Sequence, residues 1–117
     1  MTHTHTLKAL LLTASLLAWP VAHAAPMSKV DYKAGKDRIA ADYKTDKAAC
    51  ASYSSNAKDI CVEEAKAKEN NARAELEFKA SGKPADGIKV QTVKADGVYE
   101  VAKERCDDLN GNAKDVC

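Results

Sequence analysis

The sequence predicts an all-α protein built from two disulfide-stapled helical hairpin repeats, the second truncated at its carboxyl end, preceded by a signal peptide. Three observations predict it: an uncharged apolar leader, an internal match at an offset of 56 residues, and four cysteines arranged as two C-x₁₀-C pairs. The 117 residues suffice for one small domain. We divide the chain into a signal peptide (1–24), a first hairpin repeat (25–83) and a second, incomplete repeat (84–117).

The leader has the three parts of a secretory signal peptide. Lys8 precedes eleven uncharged residues from Ala9 to Trp19, and Ala22-His23-Ala24 forms an A-x-A cleavage signal. Eleven apolar residues cover only about half of the roughly 20 that a membrane-spanning helix needs. We therefore predict cleavage after Ala24, a periplasmic or secreted protein, and no membrane span after cleavage.

Removal of the leader changes the chemistry that the chain can perform. Lys8 is the only charged residue in 1–24, so the mature chain balances 17 basic against 17 acidic residues, which argues against a nucleic-acid partner. His3, His5 and His23 also leave, and they are all the histidines of the chain. This excludes a Ser-His-Asp set and a His-ligated zinc or haem. We predict a protein that is not an enzyme, with no catalytic residue, no cofactor and no metal.

The segment 32–61 falls on 88–117 without a gap when the sequence is shifted by 56 residues. The run Asn-Ala-Lys-Asp at 56–59 recurs at 112–115, and the other identities include Tyr43 with Tyr99, Cys50 with Cys106, and Cys61 with Cys117. Such a match indicates duplication. The first copy continues beyond Cys61 to Ala80, so we expect the second copy to be truncated or to have lost its outer helix.

Each copy is expected to form helix, turn and helix, with helices near 29–52, 57–80 and 88–108. Ser28 with Asp31 is typical of a helix start, Asn56 and Asn112 are predicted N-caps, and Gly82 before Pro84 is predicted to end the second helix. The β-branched residues in 88–93 also fit a strand, but the repeat favours a helix there.

Helical spacing places one apolar stripe on the first helix and an equivalent stripe in the second copy. We expect both to fill the core; they are Tyr32, Ile39, Tyr43 and Cys50, and Ile88, Ala95, Tyr99 and Cys106. The second helix carries a thin seam of Ala65, Ala72 and Leu76. Its acid-first pairs four residues apart are expected on a solvated face: Glu64–Lys68, Glu69–Arg73 and Glu75–Lys79.

Four cysteines allow three connectivities, and helix geometry selects one. Residues eleven apart on an unbroken helix are about 16 Å apart, whereas a disulfide needs Cα atoms within roughly 7 Å. Turns rich in Ser, Asn and Gly separate the members of each pair, so the sequence predicts Cys50–Cys61 and Cys106–Cys117 disulfides. The C-x₁₀-C spacing fits neither a zinc site nor a C-x-x-C redox motif.

The runs 25–66 and 99–106, together with the doubled cysteine frame, resemble a group of small secreted proteins of Gram-negative proteobacteria, some of which carry a TolA-like cell-envelope label. The run 106–112 is similar to the start of the PsiF-family repeat. The resemblance implies a cell-envelope or stress role and an envelope or secreted protein as partner, with the oligomeric state open. A looser similarity to periplasmic lysozyme inhibitors of the LprI type gives the alternative of a protein-binding inhibitor.

Overall fold

The computed structural model describes residues 27–117, so the predicted signal peptide and its cleavage site lie outside the described residues. The described chain forms α1 (Lys29–Ala49), α2 (Ser55–Ser81), α3 (Pro84–Cys106) and α4 (Asn112–Val116), with a 3₁₀ turn at Cys50–Ser52. Residues 27–117 contain no strand, and 88–93 lie inside α3. The predicted all-α class and the helical interpretation of 88–93 are confirmed.

The predicted boundaries at Ser28 and Gly82 are confirmed by their hydrogen bonds. Ser28 Oγ accepts from the backbone N–H of Asp31 at 3.0 Å, which satisfies one of the free donors of the first helical turn. Gly82 has φ 63°, a left-handed conformation that costs glycine little, and its N–H donates to the Phe78 carbonyl at 2.8 Å. Pro84 is already helical, so the linker between α2 and α3 is only Gly82 and Lys83.

The predicted N-caps at Asn56 and Asn112 are wrong. Helix α2 begins at Ser55, after extended Ser54, and α4 begins at Asn112 itself, after Gly111. The Asn56 side-chain amide instead donates to the backbone carbonyl of Glu104 at 2.8 Å. That carbonyl lies in the last turn of α3 and also accepts from the backbone N–H of Asp107 at 3.2 Å. The Asn56 side chain therefore makes a contact with α3 instead of capping α2.

Helices α1 and α2 pack antiparallel through the stripe and seam that the sequence predicts. Cys50 is bonded to Cys61 at one end. At the other end Leu76 lies over Gly35. A Cβ added to Gly35 would come within 2.8 Å of the Leu76 Cδ1 atom. Ile39 and Tyr43 are half-buried against α2, and Ala65 is buried. The first predicted stripe thus faces α2 as expected, but only Cys50 of its four residues is fully buried.

Helix α3 packs on the opposite side of α2. An added Cβ at Gly97 would lie 3.0 Å from the Ala67 Cβ, and one at Gly87 would lie 3.2 Å from the Phe78 ring. Ala67 stands two positions beyond Ala65 of the α1-facing seam, which is about 200° around a helix with 3.6 residues per turn. Helices α1, α2 and α3 therefore form a row with α2 in the middle, and the glycines let the helices approach closely.

Most ion pairs of α2 connect it to α1 or α3, and few lie within α2 itself. Only Glu69–Arg73, at 2.6 Å, forms as predicted within the described chain. The predicted partners Glu64, Lys68 and Glu75 instead reach other helices, pairing with Arg105, Asp46 and Lys94 at 2.7, 2.7 and 2.9 Å. The predicted pairing four residues apart is wrong for these residues because α1 and α3 flank α2 on both sides, although Glu64 and Lys68 remain exposed to solvent as predicted.

Candidate functional site

The four predicted cysteines form two staples. The Cα atoms of Cys50 and Cys61 are 5.6 Å apart, and those of Cys106 and Cys117 are 5.7 Å apart, so both predicted pairings are correct. Cys50 is 1% exposed and lies where α1 meets α2. Since all four sulfurs are bonded, these cysteines hold the turns closed and offer no thiol for chemistry.

The second predicted stripe does not lie in the core. Ile88 and Tyr99 are 70% and 64% exposed, and Ala95 is exposed with them. The prediction of core filling is wrong here because α3 turns a different side to α2. Its buried Val90 and its Gly97 stand two positions after Ile88 and Ala95, about 200° around the helix. The stripe therefore points away from α2, on the far edge of the row.

We call this surface the outer stripe of α3, formed by Ile88, Ala95, Val98, Tyr99 and Ala102. Val98 is 72% exposed, so three large apolar side chains lie on one exposed helix face. Exposed apolar side chains that share one helix face are candidates for a binding surface. The outer stripe is therefore the candidate functional site.

The opposite edge of the row, on α1, is built differently. Its positions equivalent to Val90, Gly97 and Glu104 are Ala34, Ala41 and Ala48, and all three are exposed alanines. These small side chains leave little apolar area in water. Val30, which is 77% exposed, is the one large apolar residue on this edge, whereas the α3 edge exposes Ile88, Val98 and Tyr99.

The short helix α4 stands at one end of the outer stripe. The Cys106–Cys117 bond turns the chain back beside α3, and Lys114 pairs with Asp107 at 2.9 Å. A groove of about 320 Å³ opens there, lined by Tyr99, Ala102 and Cys117 among others. This groove extends the outer stripe toward the second disulfide.

A larger groove of about 650 Å³ runs between α2 and α3 and shares Val98 and Ala102 with the outer stripe. Its floor is small and apolar, and the Glu64–Arg105 and Glu75–Lys94 pairs lie along it. The hydrogen bond and charge of Lys94 lower the pKa of Glu75 from its ordinary value. The Oδ1 atom of Asn71, which also lines the groove, is shielded from solvent without a hydrogen-bond partner.

The chemistry of this region is that of a binding surface: apolar side chains bordered by paired charges. Within residues 27–117, no group of three or more His, Cys, Asp or Glu side chains is placed to hold a metal ion. None of the helices in this part of the chain is both long and apolar enough to cross a membrane.

The sequence pattern identified Ile88, Ala95 and Tyr99 of the outer stripe but placed them in the core, and it did not include Val98 and Ala102. The cue that could have separated the two copies is the substitution of Asp42 and Asp46 by Val98 and Ala102 at the equivalent positions. Comparison of the chain with protein families, with curated proteins and with solved structures finds no match.

Proposed function

We propose that this chain is a non-catalytic, exported helical protein of the periplasm or extracellular space, with a cell-envelope or stress-associated role exerted by binding another protein. The observation that carries the proposal is the outer stripe, which exposes Ile88, Val98 and Tyr99 on a helix whose carboxyl end is stapled by a disulfide. A rigid apolar surface loses little entropy on binding and gains from water exclusion.

Export is supported by two independent features. The leader carries an A-x-A cleavage signal before Ala25, and both cysteine pairs are bonded, as is common in oxidising compartments and rare in the cytosol. The two disulfides of the cysteine frame close the same sequence separation of 11 residues. We propose that this frame is a duplicated unit and that the disulfides replace part of a small core.

Export is tested by fractionating a Gram-negative host that expresses the full chain. We expect the protein in the periplasmic fraction or the medium, with Ala25 as its first residue and with no free thiol. A soluble protein that retains Met1 and four reduced cysteines in the cytosol would contradict the proposal.

Binding is tested by crosslinking the exported protein in intact cells and identifying what it captures. The test variant is Val98→Asp with Ala102→Asp on the outer stripe, and the matched control is Ala34→Asp with Ala41→Asp on the exposed face of α1. We expect the first pair of substitutions to abolish capture and the control to preserve it. A lysozyme-inhibition assay on the same preparations tests the alternative of an inhibitor.

A further inference from the structure

The first hairpin contains a covered version of the outer stripe. At the 56-residue offset, Tyr32, Ile39 and Tyr43 of α1 correspond to Ile88, Ala95 and Tyr99 of α3. In α1 these residues are half-buried against α2, whereas Ile88 and Tyr99 in α3 are mostly exposed. In the first hairpin these residues are therefore covered by an antiparallel helix with an alanine-rich seam, which is α2.

The turns that follow α1 and α3 share their disulfide spacing and a residue of positive φ. Cys50–Cys61 and Cys106–Cys117 close equal separations, with Cα distances of 5.6 and 5.7 Å. Ser55 and Gly111, which are equivalent residues, both have positive φ, at 50° and 56°. After this turn α2 runs along α1, and α4 begins beside the outer stripe in the equivalent place.

The charges around the two stripes differ, and this difference specifies the occupant. On α1, Asp46 pairs with Lys68 at 2.7 Å, and Asp42 also acts on Lys68, so the seam of α2 includes one cation. On α3 these acids are replaced by Val98 and Ala102. A lysine at the position of Lys68 would lack both of these acidic partners, whereas an apolar side chain there would gain contact with Val98 and Ala102.

We infer that the outer stripe of α3 binds an amphipathic α-helix of another protein, antiparallel to α3, whose seam consists of small and apolar residues with no lysine opposite Val98 and Ala102. The bound helix continues the row of α1, α2 and α3 by one member, because the outer stripe lies about 200° around α3 from its α2-facing side. This inference rests on the proposed function as a binding protein and names the chemistry of the partner.

A second copy of this chain fits the stripe less well. In an antiparallel α3–α3 pair centred between Ala95 and Val98, the Cys106 end of one α3 would lie opposite the Ile88 end of the other. The α4 segment, which lies beside the stripe at the Cys106 end, would therefore meet the Ile88 end of the other copy. The structure therefore favours a helix of different sequence.

The test uses two labelled 20-residue peptides and the exported chain with both disulfides formed. One peptide has the sequence of residues 62–81, the helix that covers α1, and the other is the same with Lys68→Leu. We expect the leucine peptide to bind the chain about tenfold more tightly than the lysine peptide, as measured by fluorescence anisotropy, because leucine adds apolar contact with Val98 and Ala102 whereas the lysine has lost its acidic partners. NMR shift changes should follow Ile88, Val98 and Tyr99.

A variant that restores the acids of α1 reverses the preference. In Val98→Asp with Ala102→Asp, the lysine peptide should bind more tightly than the leucine peptide, since the restored acids pair with its lysine as Asp46 pairs with Lys68. Both positions are exposed, so the variant is expected to fold, and circular dichroism checks this. The control Ala34→Asp with Ala41→Asp should leave both affinities unchanged.

The inference is overturned if neither peptide binds at millimolar concentration, or if both bind with affinities that the Val98→Asp and Ala102→Asp pair does not alter. Sedimentation velocity gives a further outcome: self-association lost in this variant would make a second copy the occupant and would also overturn it. Capture of an envelope protein through another surface would leave the proposed function standing while this inference fails.

Discussion

Helices α1 and α3 share a sequence pattern and end at equivalent disulfides, but they occupy different environments. The stripe of α1 lies against α2, and the equivalent stripe of α3 lies on the outer edge of the row. The comparison teaches that a periodic apolar pattern shows which face a helix is able to bury, not whether anything covers it. Helix α3 packs on α2 through a different face, which contains Val90 and Gly97. The equivalent positions of α1 are exposed alanines, so the shared pattern does not predict this contact.

The middle helix explains how both arrangements coexist. Helix α2 has one seam for α1, containing Ala65 and Ala72, and another for α3, containing Ala67 and Ala74. Small residues on both sides allow close approach, so dispersion contacts compensate for the scarcity of large apolar side chains. The described core contains only Cys50, Ala65, Ala74 and Val90 as buried residues, which makes the staples important.

The largest expected difference between the two regions comes from their disulfides. Replacing Cys50 and Cys61 by alanine should lower the free energy of unfolding by about 3 kcal/mol, from the chain entropy of a short loop. Replacing Cys106 and Cys117 should cost less than half as much. The reason is that α4 has only five residues and none of them is buried, so the native state also gains freedom when this bond is absent.

Urea unfolding followed by circular dichroism measures both values. Equal losses for the two pairs would show that α4 is as firmly attached as the start of α2. Singly substituted variants are unsuitable as controls because they leave a reactive thiol, so double alanine variants are compared throughout.

The two equivalent tyrosines give the next largest difference. Tyr43→Ala should destabilise the chain by about 2 kcal/mol, because a half-buried aromatic ring leaves its contact with α2. Tyr99→Ala should cost less than about 0.5 kcal/mol, since its ring is 64% exposed. Thermal unfolding of both variants checks the pair. A loss at Tyr99 as large as at Tyr43 would show that the outer stripe is covered within the chain itself.

The sequence was sufficient for the fold class and the staples because these depend on local spacing and chain geometry. The helix boundaries at Ser28 and Gly82 follow from single residues with one strong preference. The ion-pair partners of Glu64, Lys68 and Glu75 could not be predicted from the sequence. A pair with a residue four positions away and a pair with a neighbouring helix have similar energies. The stripe on α3 is exposed because one face of α2 is already covered by α1, and α3 packs on the opposite face through other residues. This depends on the tertiary packing and not on the pattern within one repeat.

The turn between each cysteine pair gives a smaller but opposite difference. Ser55 has φ 50°, a left-handed conformation that is unfavourable for a residue with a Cβ, and the equivalent Gly111 has φ 56°. Ser55→Gly should therefore stabilise the chain by about 1 kcal/mol, while Gly111→Ala should weaken the start of α4 by a similar amount. Chemical denaturation measures the first and amide hydrogen exchange in α4 the second.

Ser54→Gly is the matched control for this turn. Ser54 has φ −132° and its side chain makes no capping hydrogen bond, so glycine relieves no strain there. Stabilisation by this variant, or none by Ser55→Gly, would contradict the strained turn.

The smallest expected effects are those of pH, and they separate the two interfaces. The hydrogen bond to Asp46 raises the pKa of Lys68 above its ordinary 10.5, so the pair between α1 and α2 stabilises the fold below that pH and weakens as pH rises further. The hydrogen bond to Lys94 lowers the pKa of Glu75 below its ordinary 4.5, so the pair between α2 and α3 stabilises the fold above about that pH.

Acid therefore tests the α3 side of the row. As pH falls below 4.5 and passes through the lowered pKa of Glu75, its carboxylate takes up a proton and the attraction to Lys94 disappears. Glu75→Gln lacks this titration, so its stability should fall less steeply between pH 5 and pH 3 than that of the unmodified chain, although it starts slightly lower at neutral pH. Both partners are nearly half exposed, so the difference should be small and should shrink further with added salt. Urea midpoints at closely spaced pH values measure it, and parallel curves for the two proteins would show that the Glu75–Lys94 pair does not hold α3 to α2.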